Sequence, residues 1–162
     1  MSGITKTSLK IIHREIISLN GNNYDNVNTR SIDNIKEITK RILTIPTSSN
    51  QIVILSGSIG AGAYIDDTVR YMRFTNLDNT HHIHLTFKNE NDDEFAVKLE
   101  NNASYIYSGV SGSGVTKTLG ISGSSGLSST FGDLTNIYGI ASSSVSGSAM
   151  DSCDLELFIA SS

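Results

Sequence analysis

Val69-Arg70-Tyr71-Met72-Arg73-Phe74-Thr75, then Ile83-His84-Leu85-Thr86-Phe87, then Phe95-Ala96-Val97-Lys98-Leu99 is the stretch that decides how this chain folds. In each run the side chains alternate between two faces. Arg70, Met72 and Phe74 interleave with Val69, Tyr71 and Arg73; Ile83, Leu85 and Phe87 interleave with His82, His84 and Thr86; Phe95, Val97 and Leu99 interleave with Glu94, Ala96 and Lys98. A period of two belongs to extended backbone, because successive side chains point to opposite sides of a strand. The breaks, Asn76-Leu77-Asp78-Asn79-Thr80 and Asn89-Glu90-Asn91-Asp92-Asp93, are rich in residues that accept left-handed backbone angles and bond to their own chain. They predict hairpin turns joining three consecutive antiparallel strands. Ser104 to Tyr107 adds a short fourth.

Outward from this centre the same rhythm returns. Asp154-Leu155-Glu156-Leu157-Phe158-Ile159-Ala160 alternates, and Leu134 to Ala141 is the expected neighbour of that strand. Gln51 to Leu55 is a short β-branched run. Residues 8–45 fit two periods at once: Leu9, Ile12, Ile16 and Leu19 have helical spacing, whereas Leu9, Ile11, Ile17 and Leu19 share a strand face. Ile35, Ile38 and Ile42 repeat the ambiguity. The density of isoleucine and threonine favours strands, since β-branched side chains lose less freedom there. Residues 108–148 are rich in glycine and serine, with a brief alternation at Val115, Leu119 and Ile121. They read as thin edge strands joined by flexible turns, within which a loop for docking a neighbour is also possible. The expected architecture is one all-β domain spanning 1–162, an antiparallel β-sandwich of the jelly-roll kind.

Composition narrows the function. The chain has 162 residues, 17% of them charged, with a net charge of -4 and no block of lysine or arginine. Nucleic-acid binding needs a dense cationic footprint, so it is not expected. No apolar run is long enough to span a membrane as a helix, and Met1 to Lys6 is not followed by the apolar core of an export signal. A single cysteine, Cys153, excludes an intrachain disulfide. Asn102-Ala103-Ser104 is a formal glycosylation sequon with no export signal to give it use.

The motifs that carry chemistry fall short one by one. His82 and His84 lie two apart on a strand and so face the same way, as a His-x-His metal pair does in the cupins. Lys88 and Asn89 stand where that pattern carries its glutamate, and His13 is the only histidine outside residues 81–84. No metal or other cofactor is therefore expected, His82 and His84 being the pair that would hold one. The acidic turn Asn89 to Glu94 has the alternating oxygens of a calcium loop but Glu94 in place of its glycine. Gly109-Val110-Ser111-Gly112-Ser113 fails as a nucleophile elbow at its last position. Gly112-Ser113-Gly114-Val115-Thr116-Lys117-Thr118 has threonine where a phosphate loop needs glycine. Cys153, ahead of a core strand, reads as a small buried residue. There is no tryptophan for a sugar platform, which leaves Tyr24, Tyr64, Tyr71, Tyr105, Tyr107 and Tyr138. No catalytic residue emerges.

Val69-Arg70-Tyr71-Met72-Arg73-Phe74-Thr75-Asn76-Leu77-Asp78, the Phe95-to-Tyr107 segment read as a hairpin, and the ending Cys153-Asp154-Leu155-Glu156-Leu157-Phe158-Ile159-Ala160 together resemble the small β-sandwich structural proteins of tailed-phage virions, marine phages in particular. The likeness covers about half the chain and includes no catalytic signature. It implies a virion location and a non-enzymatic role as a capsid decoration protein or a tail or head-tail accessory protein, forming homo-oligomers and binding capsid or tail proteins. A receptor- or carbohydrate-binding tip and a cupin-like metal protein are the alternatives.

Overall fold

The computed structural model describes residues 5–47, 52–56, 68–108, 117–118, 121–122, 126–127, 132–142 and 152–162. Among them there are strands and turns and no α-helix. The opening segment holds β1 (Thr7–Glu15), β2 (Ser18–Leu19), β3 (Asn22–Asn23), β4 (Asn26–Ile35) and β5 (Glu37–Ile45). The ambiguity over residues 8–45 thus resolves to strands, as the isoleucine and threonine content favours. Then come β6 (Ile52–Ser56), β7 (Val69–Asn76), β8 (Ile83–Asn89), β9 (Glu94–Leu99) and β10 (Ser104–Ser108). The short pieces β11 (Lys117–Thr118), β12 (Ile121–Ser122) and β13 (Gly126–Leu127) precede the long strands β14 (Gly132–Ala141) and β15 (Cys153–Ser161).

Two sheets make the body of the molecule. One runs β5-β15-β7-β10; the other runs β6-β14-β8-β9, with β11 beside the start of β14. Every pairing is antiparallel. From β5 onward the chain crosses to the other sheet after nearly every strand, staying in one sheet only at β8–β9 and β11–β14, which is the connectivity of a jelly roll. The sandwich expected from sequence is therefore present, but three of its expected pairings differ. The β7 and β8 strands are not a hairpin: β7 pairs with β15 and β10, and β8 pairs with β9 and β14. Residues 77–82 carry the chain from one sheet to the other, and residues 100–103 carry it back, so Phe95 to Tyr107 is not a hairpin either. Of the hairpins expected in this stretch, only the one turning at residues 89–93 forms. Likewise β14 lies in the opposite sheet from β15, whose neighbours are β5 and β7.

The alternation explains the core. Met72, Phe74, Leu155, Leu157 and Ile159 from one sheet meet Ile83, Leu85, Phe87, Leu134 and Ile137 from the other, each with at most 1% exposure. Phe87 sits at the hub, edge-on to Phe74 at 5.7 Å and stacked on Phe95 at 4.7 Å. Tyr105 and Tyr107 from β10 lie 5.5 and 5.8 Å from the same ring. Each such side chain withdrawn from water contributes about 1.5–3 kcal/mol, so this aromatic knot is a principal bond between the sheets.

Two buried asparagines shape the turns. The Asn76 side chain donates to the carbonyls of His81, Leu99 and Glu100 and accepts from the Asp78 amide. The Asn89 side-chain oxygen accepts from the Asn91 and Asp93 amides. Left-handed backbone occurs at Asn20, Asn34, Asp92, Asn102 and Gly21, which are the residue types that reach it at least cost.

Candidate functional site

The most distinctive surface feature precedes the jelly roll. Among the described residues the β1 and β4 strands pair with each other and with nothing else, and β2 with β3 extends the same ribbon to a tight turn at Asn20-Gly21. A hydrogen bond of 2.8 Å from the Tyr24 amide to the Ile17 carbonyl holds the two parts together. The base of this hairpin is anchored. A bulge sets Asp33 and Asn34 opposite the single residue Ser8, with Asn34 at φ 63°, and turns both Ile32 and Ile35 toward the sheet. They pack with Tyr71 and Ala160 on the outer face of the β5-β15-β7-β10 sheet, backed by Leu9, Ile11, Ile106 and Phe158.

Beyond that base the arm is uncovered for about 25 Å, at the rise of an extended strand. Its apolar side chains are open to solvent: Ile12 57%, Ile16 67%, Ile17 53%, Leu19 57%, Tyr24 57% and Val27 57%. The side facing the sheet carries His13, Glu15, Asn26, Asn28 and Arg30, which with Ile11, Tyr71 and Ile106 line a groove of about 380 Å³. Beyond Ile11 the arm thus turns polar groups to the recess while Ile12, Ile16 and Ile17 stand outside it, the reverse of what a self-covered element shows. A two-stranded ribbon is marginal in water by itself.

The outer sheet face next to the arm is also part-apolar. Among the described residues the β5 strand pairs only with β15 and forms one edge of its sheet. On it Ile38 and Ile42 are 53% and 58% exposed, flanking Lys40. Lys40 and Arg73 both reach the Glu156 carboxylate, Lys40 at 2.8 Å, and Arg73 lies over the Phe158 ring. The Lys40 hydrogen bond is the largest influence on the Glu156 carboxyl; burial opposes it, and with Arg73 added the carboxyl is held below its usual value.

The residues singled out in the sequence fall in varied places. His82 and His84 do come together, with ring centroids 4.8 Å apart. His84 lies on the exposed face of β8, away from the core, and the Nδ1 atom of His82 is 2.9 Å from the Ser142 hydroxyl. Partial burial, then Lys98 and His84, lower the basicity of His82. In the acidic turn, Asp92 and Glu94 turn to Lys88 and the Asn89 side chain is occupied within the turn. Gly109–Ser113 and residues 112–116 lie outside the described residues, as does Tyr64. Tyr71 is buried, and Tyr105 and Tyr107 pack into the core. Tyr24, on the arm, is the one tyrosine among the described residues that is largely exposed.

A group that the sequence reading missed lies at the corner where β7 ends. Asp78, His81 and Cys153 place a carboxylate oxygen, a ring nitrogen and a sulfur all within 4.8 Å of one another. Among the described residues it is the one group of three or more histidine, cysteine or acidic side chains so arranged. Asp78 Oδ1 accepts from the Thr80 and His81 amides at 2.7 and 2.6 Å, and these bonds keep its carboxyl below the usual value. The signal in sequence was slight, since Cys153 is far along the chain from the other two. Comparison of the chain with protein-family models, with curated proteins and with solved structures found no match, so the arm and this corner have to be read on their own chemistry.

Proposed function

We propose that the chain is a non-enzymatic structural subunit of a tailed-phage virion, a capsid decoration or tail or head-tail accessory protein, and that it assembles by laying its hairpin arm on a second copy of itself. The observation that carries this reading is the uncovered apolar arm. Re-covering a half-exposed isoleucine contributes about 1 kcal/mol, and the arm presents several in a row. An element that leaves this much apolar surface in water is explained by a partner that takes it away.

A second copy is the favoured partner because one chain carries both halves of such a contact. The arm offers apolar side chains and unpaired strand edges; β5 offers an edge flanked by Ile38 and Ile42. Strand addition to an open edge is a recurrent way for sheets to join. A contact between two different surfaces of the same chain is head-to-tail, and it closes into a ring when the rotation permits. The jelly roll is shared by capsid, lectin and cupin domains and does not choose among them. The virion assignment is supported by the strand-and-turn likeness of the sequence.

The test is light scattering coupled to size exclusion on the full chain and on an Ile16→Asp, Ile17→Asp variant. The expected result is an oligomer for the unaltered chain and a monomer with the same circular-dichroism spectrum for the variant. A monomeric unaltered chain that purified particles fail to retain overturns the proposal.

A further inference from the structure

We propose that Asp78, His81 and Cys153 form a binding site for one zinc-class divalent cation, clasping the β7–β8 connection to the first residue of β15. The donor set points to that class. One nitrogen, one sulfur and one carboxylate oxygen suit a borderline-soft ion, whereas calcium and magnesium take oxygen alone. In a tetrahedral zinc site, bond lengths of about 2.0–2.3 Å put donor atoms roughly 3.3–3.7 Å apart. The three donors here lie within 4.8 Å, so a side-chain adjustment of about 1 Å closes the set.

The corner is held in shape by groups outside the donor set. Asn76 is fully buried, and its side chain grips the His81 carbonyl and the Asp78 amide, spanning the connection. The Leu77 amide bonds the Asp154 carbonyl at 2.9 Å, and Leu155 pairs with Asn76, so the start of β15 is fixed beside the loop. Asp78 Oδ1 is occupied by two backbone amides, which orient the carboxylate. The Nδ1 atom of His81 lies 3.3 Å from that oxygen, yet it is buried without an aligned hydrogen bond. With the proton on Nδ1 the ring is a poorly aligned donor to Asp78; with the proton on Nε2 it offers a buried lone pair to an ion.

Access is one-sided. Cys153 is fully buried, while the His81 and Asp78 side chains are 13% and 23% exposed. Sulfur forms the floor and the other two donors the mouth, where water completes the coordination. Binding converts the Cys153 thiol to thiolate and releases its proton to solvent. The thiolate and the carboxylate then balance the two positive charges of the ion. His82 and His84 differ in kind: they supply two donors and, among the described residues, no third.

Cobalt titration of the chelator-stripped full chain tests this by visible and near-ultraviolet absorption. The expected result is a thiolate-to-cobalt charge-transfer band with tetrahedral ligand-field bands, saturating at one ion per chain and abolished by added zinc. Cys153→Ser should lose the charge-transfer band, and His81→Ala should weaken binding by an order of magnitude or more. The His82→Ala, His84→Ala double variant should bind as the unaltered chain does. Absence of a thiolate band in the unaltered chain overturns the proposal whether or not the variants fold. Binding that survives Cys153→Ser but is lost in the double variant overturns it equally.

Discussion

Replacing Asn76 by alanine isolates the chemistry that turns this chain from one sheet to the other. Asn76 has no exposed surface, and its amide group serves four backbone partners. The Leu99 carbonyl lies in the interior at 3.2 Å, and leaving it without a donor costs about 1–3 kcal/mol. The His81 and Glu100 carbonyls and the Asp78 amide are only part-buried and can turn to water, at about 0.5–1 kcal/mol each. The expected loss is thus about 3–5 kcal/mol, a large share of the stability of a domain this size. Urea unfolding followed by circular dichroism measures it, with Asn79→Ala, an exposed position in the same connection, as the control. Asn76→Asp sharpens the test. Its carboxylate would face carbonyl oxygens that want a donor, so its folded pKa rises above the unfolded value. The damage should then ease as pH falls through that raised pKa, opposite to an ordinary ion-paired aspartate. A loss in Asn76→Ala no larger than in Asn79→Ala would refute the account.

Two further predictions concern the packing and the outer face. Phe87→Ala should cost about 3–5 kcal/mol by emptying the space among Phe74, Phe95, Tyr105 and Tyr107, and Phe87→Leu distinctly less; denaturant midpoints at an unchanged slope check both. Glu156, held below its ordinary value of 4.5 by Lys40 and Arg73, contributes stability that is present above the unfolded pKa and is lost as pH falls through the folded one. The gap in melting temperature between the unaltered chain and Glu156→Gln should therefore narrow below about pH 4.5, and a gap that stays constant into acid would contradict the ion pairing.

The strands themselves were legible because alternation is a local property. Met72 with Phe74, Ile83 with Leu85 and Phe87, and Leu155 with Leu157 and Ile159 each mark a buried face, and each is buried. What alternation does not contain is the identity of the neighbouring strand. Asn76-Leu77-Asp78-Asn79-Thr80 and Asn89-Glu90-Asn91-Asp92-Asp93 have nearly the same composition, yet one crosses between sheets and the other closes a hairpin. The difference lies in what the first asparagine reaches: Asn89 bonds within its own turn, whereas Asn76 reaches Leu99 and Glu100 on the far side. For the same reason Asp78 and His81 gave no hint of Cys153, since only the register of β15 on β7 unites them. The arm was legible as apolar strands, but a row of isoleucines announces burial without saying whose surface supplies it.

The place of β15 has a consequence for how the molecule comes into being. This strand lies between β5 and β7, so that Thr44 meets Asp154 across 110 residues and Arg73 meets Glu156 across 83. Bringing together ends so distant carries an entropic cost of about 4 kcal/mol beyond a constant, before any bond across the gap repays it. Until that happens β5 and β7 border a slot that any extended peptide can enter, and the half-built sheet is open to theft by a neighbour. Assembly of this sheet therefore waits on the arrival of β15, and slow, dilute refolding should yield more native material than rapid refolding at high concentration.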